Sequence, residues 1–468
     1  MNLEINKKNT IHFIGIGGIG MSGIALIMKN LGYNIQGSDL VKSSRVINYL
    51  KKNRIKIFHN HNSREILKAD IVVTSTAIKK FNKEFQLANK NNLIIVKRAD
   101  MLAHLLNLKK NIIISGSHGK TTITSLIAHL LTVNKFSPTI VNGGIINSLQ
   151  SNAALGKSEW SVVEADESDG SFLKFKSIYS IVSNIDHEHM DYYNSFSNLK
   201  KQFTEFLQKT PLLGKNIVCL DDKNISSILK KINKKNFLTY GFSKKSNLQC
   251  KNINQIDFGM QFDVLVKLKN KEKLIKNIKI NLMGRHNVLN ATAALAVGLL
   301  LKIKIDDIKK SFENFSGVQR RLTLVFNKNN NLIYDDYAHH PTEIKAVLSA
   351  CRNNFGDKKI ISIFQPHRFS RVNSLYKDFT KSFNHSDQVV ICPIYSAGEK
   401  NNNFNFQKFC ENISKNSKTE LIKVKDKDEL ENFLKKSLTK NQIVVAMGAG
   451  SISSWIREIS NKLMNVKY

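Results

Sequence analysis

One segment constrains this chain more than any other: the apolar run Ile112-Ile113-Ile114-Ser115 passes into Gly116-Ser117-His118-Gly119-Lys120-Thr121-Thr122. A short β-branched run bounded by a glycine turn reads as a buried strand, and an apolar helical pattern continues through Leu131. Glycines let successive backbone N–H groups converge on one point, and the start of a helix adds positive potential there. Such a turn suits a phosphate. Lys120 would reach the β- and γ-phosphates and the Thr121 hydroxyl would ligate Mg2+. The spacing is GxxGKTT and not the longer form, because Ile114 stands five residues before Gly119. A bare glycine turn before a threonine-capped helix would look the same locally; the strand before it and the apolar helix after it favour phosphate.

Similar alternation surrounds this unit. Upstream, Ile11–Ile16 reads as a strand, Gly20–Asn30 as a helix, Tyr33–Gln36 as a strand, Ser43–Lys52 as a helix and Ile71–Ser75 as a strand. This βαβ rhythm predicts a parallel sheet. Downstream, strands are expected at Trp160–Glu164, Ile178–Ser183 and Ile217–Leu220, followed by a lysine-rich, β-like stretch over 237–282 and an Ala-rich helix from Val288. A third alternation begins near Leu322, with strands at Leu332–Tyr334, Ile360–Phe364, Val389–Cys392 and Ile443–Ala446. At 468 residues the chain exceeds one ordinary core. The expected fold is α/β in three domains: a Rossmann-like domain over 1–108, a central P-loop-type domain with a parallel sheet over 109–322, and a second Rossmann-like domain over 323–468.

Composition removes several classes of function. The five cysteines are scattered without metal-ligand spacing, as in a reduced cytosolic protein. The polar opening has no signal-peptide pattern, and the most apolar stretch, Ala291 to Leu301, falls short of the roughly 20 residues that span a bilayer. The expectation is a cytoplasmic protein with no membrane insertion. A formal charge of +34 invites a nucleic-acid reading. However, the excess is almost entirely lysine spread along the chain, without interleaved aromatic residues to stack bases. No nucleic-acid partner is expected. Five of the 11 arginines (Arg285, Arg320, Arg321, Arg368 and Arg371) instead fall in motifs.

Those motifs sit where strands end. Glu164-Ala165-Asp166-Glu167-Ser168-Asp169-Gly170 closes one strand, and Asn184-Ile185-Asp186-His187-Glu188-His189 follows the next. Mg2+ takes oxygen ligands, usually one or two carboxylates with water and phosphate. Glu164 is therefore the first candidate ligand, and His189 a candidate for a second metal. Either stretch alone reads equally as a solvated acidic turn. Together, beside a phosphate turn, they fit the crevice where open α/β sheets bind ligands. Gly284-Arg285-His286-Asn287 opens the Ala-rich helix, and Gly317-Val318-Gln319-Arg320-Arg321 stands at the last domain boundary. The third domain carries Asp335 to Glu343 after one strand and Gln365 to Arg371 after another. Six of the 13 histidines lie in these motifs and a seventh, His118, in the phosphate turn, a concentration that points to substrate or nucleotide contact.

In this order the segments resemble the muramyl ligases of the peptidoglycan pathway, over nearly the whole chain. The resemblance rests on Gly15-Ile16-Gly17-Gly18-Ile19-Gly20-Met21-Ser22-Gly23-Ile24-Ala25, the phosphate turn, EADESDGSF at 164–172, HNVLNA at 286–291, DDYAHHPTE at 335–343 and QPHRFSR at 365–371. It implies an ATP-dependent carbon–nitrogen ligase that uses Mg2+ and joins L-alanine to the lactyl carboxylate of UDP-N-acetylmuramate through an acyl phosphate. It further implies ATP contacts from Gly116, Ser117, His118, Gly119, Lys120, Thr121 and Thr122. His286 and Asn287 would lie near the base, and Arg321 or Arg320 on the phosphates. Lys120, Glu164 and His189 would be catalytic, with Thr121, Glu164 and His189 on Mg2+. Gly15, Gly17, Gly18, Gly20, Met21, Ser22, Ser38 and Asp39 would take the UDP-sugar, and Tyr337, His367, Arg368 and Arg371 the amino acid. Ser117 stands where Thr is usual, and Glu188 where Asp is usual.

Two alternatives stand beside this reading. A tripeptide-recycling muramyl ligase shares the first-domain signature. Gly15-x-Gly17-x-x-Gly20 with Asp39 about 20 residues on also fits an NAD-dependent oxidoreductase, although no hydride-transfer site follows downstream. The sequence leaves a homodimer open.

Overall fold

The structure is a computed structural model; it describes residues 5–465 apart from 62–63, 76, 107–108, 233–235, 269–270, 401–403 and 440. The domain break expected at 108 falls outside the described residues. Three sheets organise the chain. The first comprises β1 (Thr10–Ile14), β2 (Asn34–Ser38), β3 (Lys56–Phe58), β4 (Ile71–Thr74) and β5 (Ile94–Lys97), in the order β3-β2-β1-β4-β5. All its pairings are parallel. β1 and β4 bury almost every residue, as strands covered on both faces must.

The second sheet contains β6 (Lys110–Ser115), β7 (Thr139–Ile146), β8 (Ser151–Ala154), β9 (Trp160–Glu164), β10 (Tyr179–Val182), β11 (Lys215–Cys219), β12 (Phe237–Gly241), β13 (Leu248–Ile256), β14 (Gly259–Leu268) and β15 (Lys271–Ile280). Its order is β15-β14-β13-β12-β11-β10-β6-β9-β7-β8. β6 lies between β10 and β9, parallel to both, so the chain reverses its direction of travel across the sheet at β6. A reversal of this kind opens a crevice at the carboxyl ends of the strands. The lysine-rich β15 occupies one edge of this sheet with most of its residues exposed. Exposed charge on an edge strand discourages pairing with other chains, which gives part of the lysine excess a physical role.

The third sheet comprises β16 (Thr323–Lys328), β17 (Asn331–Asp336), β18 (Lys359–Phe364), β19 (Gln388–Ile391), β20 (Glu420–Lys423) and β21 (Gln442–Met447), ordered β16-β17-β21-β18-β19-β20. Only β16 runs antiparallel to its neighbour. Apolar clusters cover both faces, one around Ile344, Phe364 and Phe409 and the other around Ile363, Ile456 and Ile459. Asp336 and Phe364 both stand level with Met447, so the residues that follow β17 and β18 emerge at one edge.

By compactness the chain divides into two units. One holds residues 1–252, 262–278 and 289–316, and the other 253–261, 279–288 and 317–468. The Ala-rich helix begins at Arg285, three residues before the expected Val288. The expected strands are present with shifted ends; β3, β5, β7, β8, β16 and β20 were not expected. Among the described residues no helix is long and apolar enough to cross a membrane.

Candidate active site

The helix Lys120–Val133 begins at Gly119, whose φ of +83° only glycine adopts easily, and no side chain caps it. Its first N–H groups therefore keep their capacity for a ligand. The turn is braced from the loop after β10. The His118 N–H donates to Asn184 Oδ1 at 2.8 Å, Ser183 Oγ donates to the His118 carbonyl at 2.6 Å, and the His118 ring meets Asp186 at 3.0 Å. Gly116 packs so closely that a Cβ would lie 2.3 Å from Ser183 Oγ.

Lys120 turns back into the loop. Its ammonium donates to the carbonyls of Gly116 and Ser117 and lies 2.8 Å from a Glu167 carboxylate oxygen. Burial opposes its charge, but Glu167, Asp166 and Glu188 outweigh burial and hold its pKa above the ordinary lysine range. Thr121 Oγ1 donates to Glu164 Oε1 at 3.0 Å, and the Gly143 N–H donates to Glu164 Oε2 at 2.7 Å. Asp166, Glu167 and His189 bring potential ligand atoms within 4.8 Å of one another. Burial works against charge on His189, yet Glu167, Glu188 and Asp166 raise its pKa. A hydroxyl paired with a carboxylate is the oxygen donor set a hard dication takes, so Thr121 and Glu164 fit Mg2+. The structure thus gathers Lys120, Thr121, Glu164 and His189 at the switch point around β6. Glu167, to which the sequence assigns no role, meets both Lys120 and His189. Its place in an acid-rich strand end was the available signal.

In the first sheet the glycine turn folds around Asp39. The Gly17 N–H donates to Asp39 Oδ2 at 2.8 Å, and Gly15 and Ile16 donate to the Ser38 carbonyl. Met21 and Ser22 are buried on the helix Ile19–Asn30, where the Ser22 hydroxyl bonds the Ile19 carbonyl at 2.9 Å. Ser38 Oγ donates to the buried Glu84, which also meets His61 at 3.2 Å. Arg98 lies against Gly20, where a Cβ would meet its Nη1 at 2.5 Å. Arg98 sits in no glycine or acidic motif, so the sequence carries no signal for it.

The unit holding the third sheet has its own cluster. Tyr337 follows β17, and the Arg320 and Arg321 guanidinium carbons lie 4.6 and 5.4 Å from its ring centre. His339 meets Tyr337 edge-on with ring centres 5.0 Å apart, and His367 stacks on Tyr395 at 5.4 Å. Arg371 Nη1 reaches the His367 ring at 3.3 Å, while Arg368 stands exposed with φ +67°. Burial, then Arg371 and Arg368, lower the His367 pKa to about 4. His286 falls to about 4 through burial and Arg321, and Asn287 binds back to the Met283 carbonyl at 2.8 Å. Burial raises the Asp336 carboxyl to about 6 although it accepts the Leu322 and Ala338 N–H groups. Tyr337, His367, Arg368, Arg371, Arg320 and Arg321 thus belong to one neighbourhood, to which the structure adds His339 and Tyr395.

A phosphate turn at the switch point of a parallel sheet, with a lysine and hard-oxygen donors converging on it, defines the class of enzymes that bind a nucleoside triphosphate and move its phosphoryl group. Three family models match in order: the catalytic domain of the Mur ligase family over residues 10–110, the Mur ligase middle domain over 114–298, and the Mur ligase glutamate ligase domain over 320–450. The chain belongs to the Mur ligase family. It is 49% identical over 461 residues to a UDP-N-acetylmuramate–L-alanine ligase of Pelagibacter ubique, covering 98% of this chain and 99% of that protein. Among solved structures, a UDP-N-acetylmuramate–alanine ligase from Thermotoga maritima matches with a TM-score of 0.84 and 29% identity, covering 98% of this chain and all of the other. A murein peptide ligase from Psychrobacter arcticus shares the fold at a TM-score of 0.72 and 20% identity, covering 98% of this chain and 100% of its own. Family membership displaces the oxidoreductase reading.

Proposed function

We propose that this ligase joins L-alanine to the lactyl carboxylate of UDP-N-acetylmuramate, consuming ATP, as an early cytoplasmic step of peptidoglycan precursor synthesis. The observation that carries the reading is the full-length, 49% identity to a ligase of that name. The murein peptide ligase at 20% identity supports only a shared fold. The domain limits 1–108, 109–322 and 323–468 remain part of this proposal.

A carboxylate is a poor acyl donor because its leaving group would be oxide. Phosphorylation by ATP makes phosphate the leaving group, and the alanine amine then attacks the acyl phosphate to give the amide. In this reading the 116–122 turn cradles the triphosphate, and Lys120 neutralises charge that spreads over the transferring phosphoryl oxygens. Thr121 and Glu164 would hold Mg2+, with His189 and Glu167 beside a second ion; bound there, Mg2+ supplies positive charge to the phosphate oxygens. The 15–22 turn with Ser38 and Asp39 would take the UDP-sugar. Arg368 and Arg371 would face the alanine carboxylate, with Tyr337 and His367 as walls. His286, Asn287 and Arg321 would contact the nucleotide.

The test is phosphate release by the full-length protein with UDP-N-acetylmuramate and each amino acid in turn. Release coupled to both the sugar nucleotide and L-alanine, and abolished by chelation of divalent metal, is the expected result. A preference for a tripeptide over L-alanine would move the assignment to the recycling ligase. Release independent of any acceptor would overturn the proposal.

A further inference from the structure

We infer that Gly143 is a positioning residue for Glu164, required because any side chain there would expel the Glu164 carboxylate from its place beside Thr121. The inference rests on the metal-nucleotide reading of that carboxylate. β7 pairs with β9 through Val141↔Val163, and its pairing with β8 shifts register between Val141 and Ile146. Gly143 lies in the shifted stretch, beyond its neighbour's ladder, and its N–H donates to Glu164 Oε2 at 2.7 Å. Thr121 Oγ1 holds the other oxygen at 3.0 Å. Clamped at both oxygens, the carboxylate has its plane fixed relative to the first residues of the phosphate helix. The preceding residue ties β7 to the phosphate helix. Buried Asn142 donates to Ser125 Oγ at 2.9 Å and to the Gly144 carbonyl at 2.8 Å, and Ser125 Oγ donates to the Thr121 carbonyl at 2.7 Å. A closed circuit therefore runs from Thr121 through Glu164, Gly143, Asn142 and Ser125 back to Thr121.

Neither of the ordinary reasons for glycine applies at this position. Gly143 is solvent-exposed, and its φ lies outside the left-handed region. What forbids a side chain is the carboxylate itself. A Cβ would fall 2.5 Å from Glu164 Oε1, 2.7 Å from Oε2 and 2.8 Å from Cδ. The obstructing atoms are the mobile end of a side chain, so Gly143→Ala displaces Glu164 and leaves the fold standing. Where backbone and space permit, glycine-to-alanine changes slightly stabilise a protein through the unfolded chain. Loss of a ligand position without loss of stability is therefore the signature.

The experiment titrates Mn2+, as a spectroscopic stand-in for Mg2+, into the full-length protein with saturating ADP and follows free Mn2+ by electron paramagnetic resonance. Wild type, Gly143→Ala, Glu164→Ala and the double variant are compared, each with its ligand-free unfolding midpoint. We expect Gly143→Ala to weaken Mn2+ binding at least tenfold with an unchanged midpoint, and the double variant to bind no more weakly than Glu164→Ala alone. Binding by Gly143→Ala within twofold of wild type would overturn the inference, as would losses that multiply in the double variant. If Gly143→Ala does not fold, its folding on the Glu164→Ala background supports the clash, and failure there refutes it. A wild-type protein that binds no Mn2+ with ADP would sink the metal-nucleotide reading and this inference with it. Normal wild-type binding with an indifferent alanine variant sinks only the inference.

Discussion

The phosphate turn and the cluster after β17 and β18 both collect positive charge, but they treat it in opposite ways. Around β6 the cation is buried and compensated internally: Lys120 is 14% exposed and meets Glu167 at 1% exposure. In the other unit the guanidinium groups lie over aromatic rings or in solvent, and Arg321 Nη1 also stands 3.9 Å from a Glu343 oxygen, a looser pairing than that of Lys120. Arg320 and Arg321 lie over Tyr337, Arg371 touches the neutral His367 ring, and Arg368 and Arg371 form no ion pair among the described residues. A cation already matched by a carboxylate suits a ligand that arrives with its own dication. Cations backed by π-faces and neutral imidazoles suit a bare carboxylate or phosphate.

The largest effect that could break this contrast is at Lys120. Lys120→Ala should lower turnover by about 10^3-fold or more, because one charge at the transferring phosphoryl group is worth that much. It should also cost about 3 kcal/mol of stability, since Glu167 is left buried without its ammonium. Adding Glu167→Gln should restore the unfolding midpoint and none of the turnover. Full turnover in a folded Lys120→Ala chain would remove the phosphate site from the account.

Next in size is the arginine pair. Arg371→Lys or Arg368→Lys should raise the KM for L-alanine by about ten- to a hundredfold, the worth of one charge-assisted hydrogen bond. The KM for ATP should not move. Equal losses for both ligands would erase the distinction between the two regions. Tyr395→Ala, which removes the ring stacked on His367, should raise the same KM by about three- to tenfold. An unaltered value would remove Tyr395 from the amino-acid end.

The smallest effect is a pH slope. Burial lowers His367 and His286 to about 4, below the usual 6.5, so the folded chain binds fewer protons than the unfolded chain between those values. The contribution of these two imidazoles to stability should rise as pH increases from about 4 to about 6.5, and fall as it is lowered through that window. Replacing His367 with Gln should flatten the slope measured by denaturant midpoints. An unchanged slope would mean that this imidazole does not enter the fold neutral.

Much of the site was legible because its local order is continuous in the chain. Strand, glycine turn and helix around Gly116–Thr122 need no distant partner to be read, and neither does Glu164 at the end of an apolar run. The domain alternation was readable from strand and helix periods. What escaped depended on register between distant segments. Glu167 reaches Lys120 only because β9 pairs with β6, and Gly143 reaches Glu164 only because β7 lies beyond β9. Met21 and Ser22 are buried on their helix, a side-chain direction that a motif string does not reveal. Tyr395 stands alone beyond β19 with no neighbouring motif to mark it.

A loop whose lysine is neutralised by its own chain is comfortable empty. A phosphate that draws Lys120 from Glu167 exchanges one partner for another, so the thermal protection that ATP confers should be smaller than its contacts would suggest. In a cell whose ATP falls, the folded chain should then lose little of its stability along with its nucleotide.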